Sequence, residues 1–184
     1  ILLLPLFLVA QTDWLIQPIS KKAEIVVNNQ YISLDNGLVK RSFYMGANLA
    51  CIDYTNLTTG QQLLRSIEPE ARVVINGNSY NVGGLIGQSE KAYLIKGSEK
   101  GLTTDNDAFQ FKAYKIQIIS DYIQWKPNSW LSNKKQPTGK SIRLLFISNK
   151  PELQNILISV MYNIYDGIPL ITKWIEIVNN GEQK

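Results

Sequence analysis

The sequence contains no histidine in its 184 residues. That absence removes the commonest general base and the commonest metal ligand. A Ser-His-Asp or Cys-His site therefore cannot be built from this chain. Cysteine is almost as scarce, for Cys51 is alone, which excludes an intrachain disulfide and a CxxC metal site. Its setting, Leu-Ala-Cys-Ile-Asp-Tyr, reads as a strand, so the thiol is expected to be a small buried hydrophobe. Charged residues are 18% of the chain and the net charge is +4. Without a basic stripe, that balance describes a solvated surface and gives no nucleic-acid footprint. No apolar run is long enough for a membrane span. No cofactor motif is found either. Val82–Gly87, VGGLIG, has three glycines, but not at the G-x-G-x-x-G spacing, and no helical pattern follows. Those glycines are expected to serve bulges or a close backbone turn.

What is present favours sheet. Nine Tyr, five Phe and four Trp in a chain that is 45% hydrophobic suit the packing of one β domain. Asp35-Asn36-Gly37 separates Tyr31–Leu34 from Leu38–Met45, and Asn76-Gly77-Asn78 separates Ala71–Ile75 from Ser79–Val82. Asp166-Gly167 does the same between Ile156–Tyr165 and a second run closed by Asn179-Asn180-Gly181. Such pairs between apolar, β-branched runs signal hairpins, because Gly tolerates φ > 0. Glu24–Val27, Leu49–Thr55, Phe109–Ser120, Tyr122–Trp125 and Ser141–Ile147 read as further strands. In the last of these, Ile142, Leu144 and Phe146 share one face and Arg143 opposes them.

Residues 153–165 give two competing patterns. Leu153, Ile156, Leu157, Val160, Met161 and Ile164 fall at helical spacing, with Pro151 as a first-turn residue. Ile156, Ile158, Val160, Tyr162 and Ile164 also alternate, and four of those five are β-branched. The Asp166-Gly167 turn behind them decides for a strand. After it, Ile171, Trp174, Ile175, Ile177 and Val178 are expected to fill a sheet packed on nearly both faces. The expected fold is all-β, an antiparallel β-sandwich.

Residues 1–10, ILLLPLFLVA, fit the apolar part of a signal peptide, 11–22 form a lead-in, and 23–184 form the sandwich. Export to a bacterial periplasm or surface is the expectation. Asp105-Asn106-Asp107 runs directly into Phe109 and Phe111, which favours a solvated loop over a calcium site. Asn56-Leu57-Thr58 matches a glycosylation sequon.

Tyr162-x-x-Tyr165-Asp166-Gly167-Ile168-Pro169-Leu170-Ile171-x-Lys173-Trp174, followed by a strand and Asn-Asn-Gly, resembles a segment of the N-terminal β-supersandwich of family-36-type glycoside hydrolases. These are mostly α-galactosidases, and the domain is similar in fold to galactose mutarotase. Trp130 and Pro137-Thr138-Gly139-Lys140 before a strand also resemble the pattern. The resemblance implies a partial, non-catalytic domain of a secreted hydrolase, whose paired carboxylates lie on a downstream barrel. It implies galactoside-type glycan and that barrel as partners, with self-association compatible, and no cofactor or metal. No residue of this chain is assigned a catalytic role. A free-standing carbohydrate-binding module is the alternative; an epimerase is disfavoured because related mutarotases rely on His. Trp125 and Trp130 flank Lys126-Pro127-Asn128-Ser129. They either cover the core and meet the barrel, or form a sugar platform with Asn128 and Lys134.

Overall fold

The computed structural model describes residues 13–119 and 137–181. Within them the chain is an all-β sandwich of antiparallel strands. One sheet holds β1 (Glu24–Asn28), β2 (Tyr31–Asp35), β3 (Val39–Met45), β4 (Leu49–Asn56) and the two-residue β5 (Gln61–Gln62), in sequence order. A separate hairpin pairs β6 (Ala71–Ile75) with β7 (Asn78–Val82). The second large sheet runs β11-β10-β9-β8, from β8 (Gln110–Ile118), β9 (Gly139–Ile147), β10 (Ile156–Tyr165) and β11 (Ile171–Asn179). No helix among the described residues is long and apolar enough to cross a membrane.

The period-2 alternation of the strands builds the core directly. Ile32 and Leu34 of β2, Phe43 of β3 and Leu49 of β4 face Ile142, Leu144 and Phe146 of β9. Ile158, Val160, Tyr162 and Ile164 of β10 complete the same cluster. Burying each such side chain contributes about 1.5–3 kcal/mol. Phe43 and Tyr162 meet across the sandwich with ring centroids 5.2 Å apart. Cys51 is buried in this core, as its strand setting implied.

The turns close where the sequence places them. Asn76 and Gly77 both take positive φ, 50° and 79°, as a two-residue hairpin turn requires. The glycines after β7 hold a tight approach. Gly83 sits at φ 63°, where an added Cβ would lie 2.7 Å from the Leu49 carbonyl. Its N–H donates to Phe109 O and that of Gly84 to Leu49 O, so the β6–β7 hairpin is tied to both sheets.

Asn36 joins the two sheets at one end. Its Nδ2 donates to Tyr165 O and Ile168 O, both at 2.7 Å. Its Oδ1 accepts from Leu38 N–H and Val39 N–H. All the bonding capacity of a fully buried amide is thereby used, and the β2–β3 turn is fastened to the β10–β11 turn.

Two expectations need correction. The extended stretch begins at Ile156, not at residue 153: Pro151–Leu153 form a single 3-10 turn, with Pro in its first positions. Leu153 is still buried, so the turn seals the end of the core. β11 is also not packed on both faces. It is an edge strand, and Ile175, Ile177 and Val178 are 40–51% exposed. The register explains this: Ile175 and Ile177 lie opposite Val160 and Ile158 on the inner side, beyond the reach of the facing sheet.

Asn36→Ala is expected to lower the unfolding free energy by about 3 kcal/mol, because it orphans two buried N–H and two carbonyl groups. Urea unfolding checks this, with Ser33→Ala on the outer face as a control expected to shift by under ~0.5 kcal/mol.

Candidate functional site

The outer face of a sandwich sheet is ordinarily open to water. Here residues 87–102 fold back over the outer face of β2, β3 and β4 and leave a cleft of about 560 Å³. An isolated bridge between Ile86 and Thr103 closes the base of this loop. Beneath it a small second core of Tyr44, Ala50, Ile67 and Leu85 holds the loop residues Leu94 and Leu102.

The floor of the cleft follows from strand alternation. The pattern that buries Ile32 and Leu34 turns Tyr31 and Ser33 outward, and the register sets Ser33 opposite Ser42. Their hydroxyls lie 3.3 Å apart. A β-bulge adds what alternation alone would not. Phe43 pairs with Cys51 and Ser42 with Asp53, so Ile52 is the extra residue. Ile52 and Asp53 consequently both line the cleft.

Asp53 is held firmly. Its Oδ1 accepts from Thr55 Oγ1 at 2.6 Å and Gln62 Nε2 at 2.7 Å, while Lys40 Nζ lies 3.7 Å from Oδ2. On the opposite wall, Glu99 is buried and accepts a hydrogen bond from the Tyr31 hydroxyl at 3.1 Å. Lys96 and Lys100 of the same loop are exposed and line the cleft. Neither has an ion pair or hydrogen bond among the described residues. The arrangement offers fixed polar groups, an aromatic side chain and unpaired cations, which suits binding.

A second polar cluster lies inside the sandwich. The Glu70 carboxylate, 1% exposed, accepts from Tyr162 Oη, from Lys173 Nζ at 3.0 Å and from Cys51 N–H at 3.2 Å. Lys173 Nζ also donates to the Glu70 carbonyl. The Arg41 guanidinium approaches Glu70 at 3.8 Å and lies over three rings, 4.9 Å from the centroid of Tyr162, 5.1 Å from Tyr54 and 5.5 Å from Phe43. Burial pushes the Cys51 thiol up to about 12, against the pull of Arg41. The Tyr162 phenol is raised well above its ordinary value by burial and by the Glu70 charge. Such a thiol holds almost no thiolate at neutral pH, so the cluster is architectural.

Trp125, Trp130, Asn128 and Lys134 lie outside the described residues, as does the Tyr122–Trp125 strand. Asp105 closes its own loop, its Oδ1 accepting from Asp107 N–H and its Oδ2 from Asn81 Nδ2. Among the described residues no group of three or more His, Cys, Asp or Glu could hold a metal. The cleft residues Tyr31, Lys40, Asp53 and Glu99 were not singled out by sequence. The alternation Tyr-Ile-Ser-Leu-Asp marks two outward positions of its floor, but nothing local marks the loop that covers it. No protein-family model matches the chain, and no curated protein matches it.

The core cluster makes two measurable demands. Glu70→Gln leaves Arg41 and Lys173 without their carboxylate and is expected to cost about 3 kcal/mol in urea unfolding, at the lower end for a broken buried pair because Lys173 is partly solvated. The second concerns alkali. The Cys51 thiol ionises near its ordinary 9.0 when unfolded but near 12 when folded. Its contribution is therefore full below pH 9 and lost as pH rises toward 12. Urea midpoints should fall across that window, and less steeply in Cys51→Ala. An Ellman-type reagent at pH 8 should label Cys51 only as fast as the protein unfolds.

Proposed function

We propose that this chain is a non-catalytic, galactose mutarotase-like β-sandwich domain of a secreted glycoside hydrolase related to α-galactosidases. In this reading it packs on a downstream catalytic barrel and shapes its mouth. One observation carries the proposal: the two stretches on which the resemblance rests, 28 residues apart, meet in space. Thr138 Oγ1 donates to Asp166 Oδ2 at 2.6 Å, and Asp166 N–H donates to Thr138 O at 2.8 Å. Gly139 passes so close to β10 that any Cβ would collide with the Ile164 carbonyl. Asp166 Oδ1 accepts from Ala23 N–H as well, and Lys22 Nζ lies 3.8 Å from Oδ2, so the end of the lead-in meets the same turn. Tyr162 and Lys173, from the same motif, bind Glu70. The motif residues build the frame of the sandwich, which supports a structural role for this stretch.

In this reading one exposed edge of the β8–β11 sheet meets that barrel. Ile175 and Ile177 on β11, with Tyr114, Ile116 and Ile118 on β8, extend inner-face apolar side chains past the facing sheet. These form two separate apolar strips on opposite edges, and either one is suited to an interface with another domain. The alternative of a free-standing carbohydrate-binding module is favoured by the loop-covered cleft, which does not require a partner domain.

Reading the gene beyond Lys184 tests the proposal. A barrel bearing two acidic motifs is expected, and a stop codon or an unrelated domain would overturn it. The purified chain should neither hydrolyse aryl α-galactosides nor accelerate galactose mutarotation. Turnover that tracked with the protein through purification would refute the non-catalytic assignment.

A further inference from the structure

We infer that the cleft between the β2–β3–β4 sheet and the 87–102 loop is a binding site for an acidic oligosaccharide, a short glycan carrying a carboxylate or sulfate. The inference rests on the lining of the cleft and stands whether or not the chain belongs to a hydrolase. A volume of about 560 Å³ lies within the range of small-molecule sites.

Sugar hydroxyls are recognised by groups that both donate and accept, held in place before the ligand arrives. The Ser33 and Ser42 hydroxyls lie side by side on the floor and form such a pair. The Asp53 carboxylate and Gln62 amide beside them are already fixed, by the 2.7 Å bond between them and by Thr55. The walls add the apolar component. Leu94 and Ile95 from the loop and Tyr31 from the floor can cover the C–H face of a pyranose ring.

Charge then selects among sugars. Three lysines, Lys40, Lys96 and Lys100, line the cleft against two carboxylates, Asp53 and Glu99. Lys40 is engaged with Asp53, and Glu99 is buried against Tyr31. Lys96 and Lys100 have no carboxylate partner among the described residues. A neutral ligand would leave both lysines unused. A uronate or sulfate ester gives them a charge-assisted partner.

The test is calorimetric titration of the folded chain with trigalacturonate, a sulfated disaccharide, galactobiose and inorganic sulfate. At least one acidic glycan is expected to bind about tenfold or more tightly than galactobiose, with affinity falling as salt is raised. The Lys96→Ala/Lys100→Ala double variant should weaken that binding by about tenfold or more. Its urea midpoint should be unchanged, since both side chains are exposed. Ser42→Ala should weaken every glycan that binds and leave inorganic sulfate unaffected. Equal affinity for galactobiose, no binding of either acidic glycan, sulfate binding as tightly as the glycans, or an unchanged double variant would each overturn the inference.

Discussion

A single buried carboxylate links the two large sheets of this sandwich at its core. Glu70 precedes β6, yet it gathers Arg41 from β3, Cys51 N–H from β4, Tyr162 from β10 and Lys173 from β11. Four strands from both large sheets therefore converge on one side chain. Desolvating a carboxylate is costly, and here the cost is offset by several donors and two cations. Sliding one sheet over the other would break these bonds and leave a buried charge without its partners. The rings around Arg41 add cation–π attraction in a setting where water competes little.

That inner constraint is what allows the outer face of the β2–β3–β4 sheet to carry a site. Tyr31, Ser33, Lys40 and Ser42 belong to strands whose inner residues are locked into the core, so their outward positions are equally fixed. The loop above them is held by the Ile86–Thr103 bridge, a few apolar contacts, the Tyr31–Glu99 bond, the Ile67 N–H bond to Gln88 and the Lys91–Glu68 pair.

The parts of this protein legible in its sequence are those governed by local rules. The Asp35-Asn36-Gly37, Asn76-Gly77 and Asp166-Gly167 turns, and the strands around them, follow from Gly chemistry and alternation. Ile142, Leu144 and Phe146 on one face of β9 are a further case. The β10 strand was recoverable despite its helical spacing because β-branching and the following turn agreed. Where the reading fell short, the deciding fact was non-local. The apolar composition of β11 gives no sign that it is an edge, because that depends on what lies beside it. The bulge at Ile52 and the path of residues 87–102 depend likewise on contacts between distant segments. The cleft was accordingly half visible: its floor was implied by alternation, while its roof and its lysines were not.

The three Asn-Gly pairs, at 36–37, 76–77 and 180–181, also set how the molecule ages chemically. In such a pair the glycine nitrogen attacks the preceding side-chain carbonyl carbon and expels ammonia, forming a succinimide that water opens to aspartate or isoaspartate. The attack requires the amide carbon to swing toward the backbone. At Asn36 both ends of the amide are bound and the group is sealed from water, so that swing is blocked. Asn76, at the tip of the β6–β7 hairpin, is exposed. Asn180, just past β11, is exposed as well. Stored protein should therefore gain negative charge at that outlying tip and at the end of β11, while the amide joining the two sheets persists for the life of the fold.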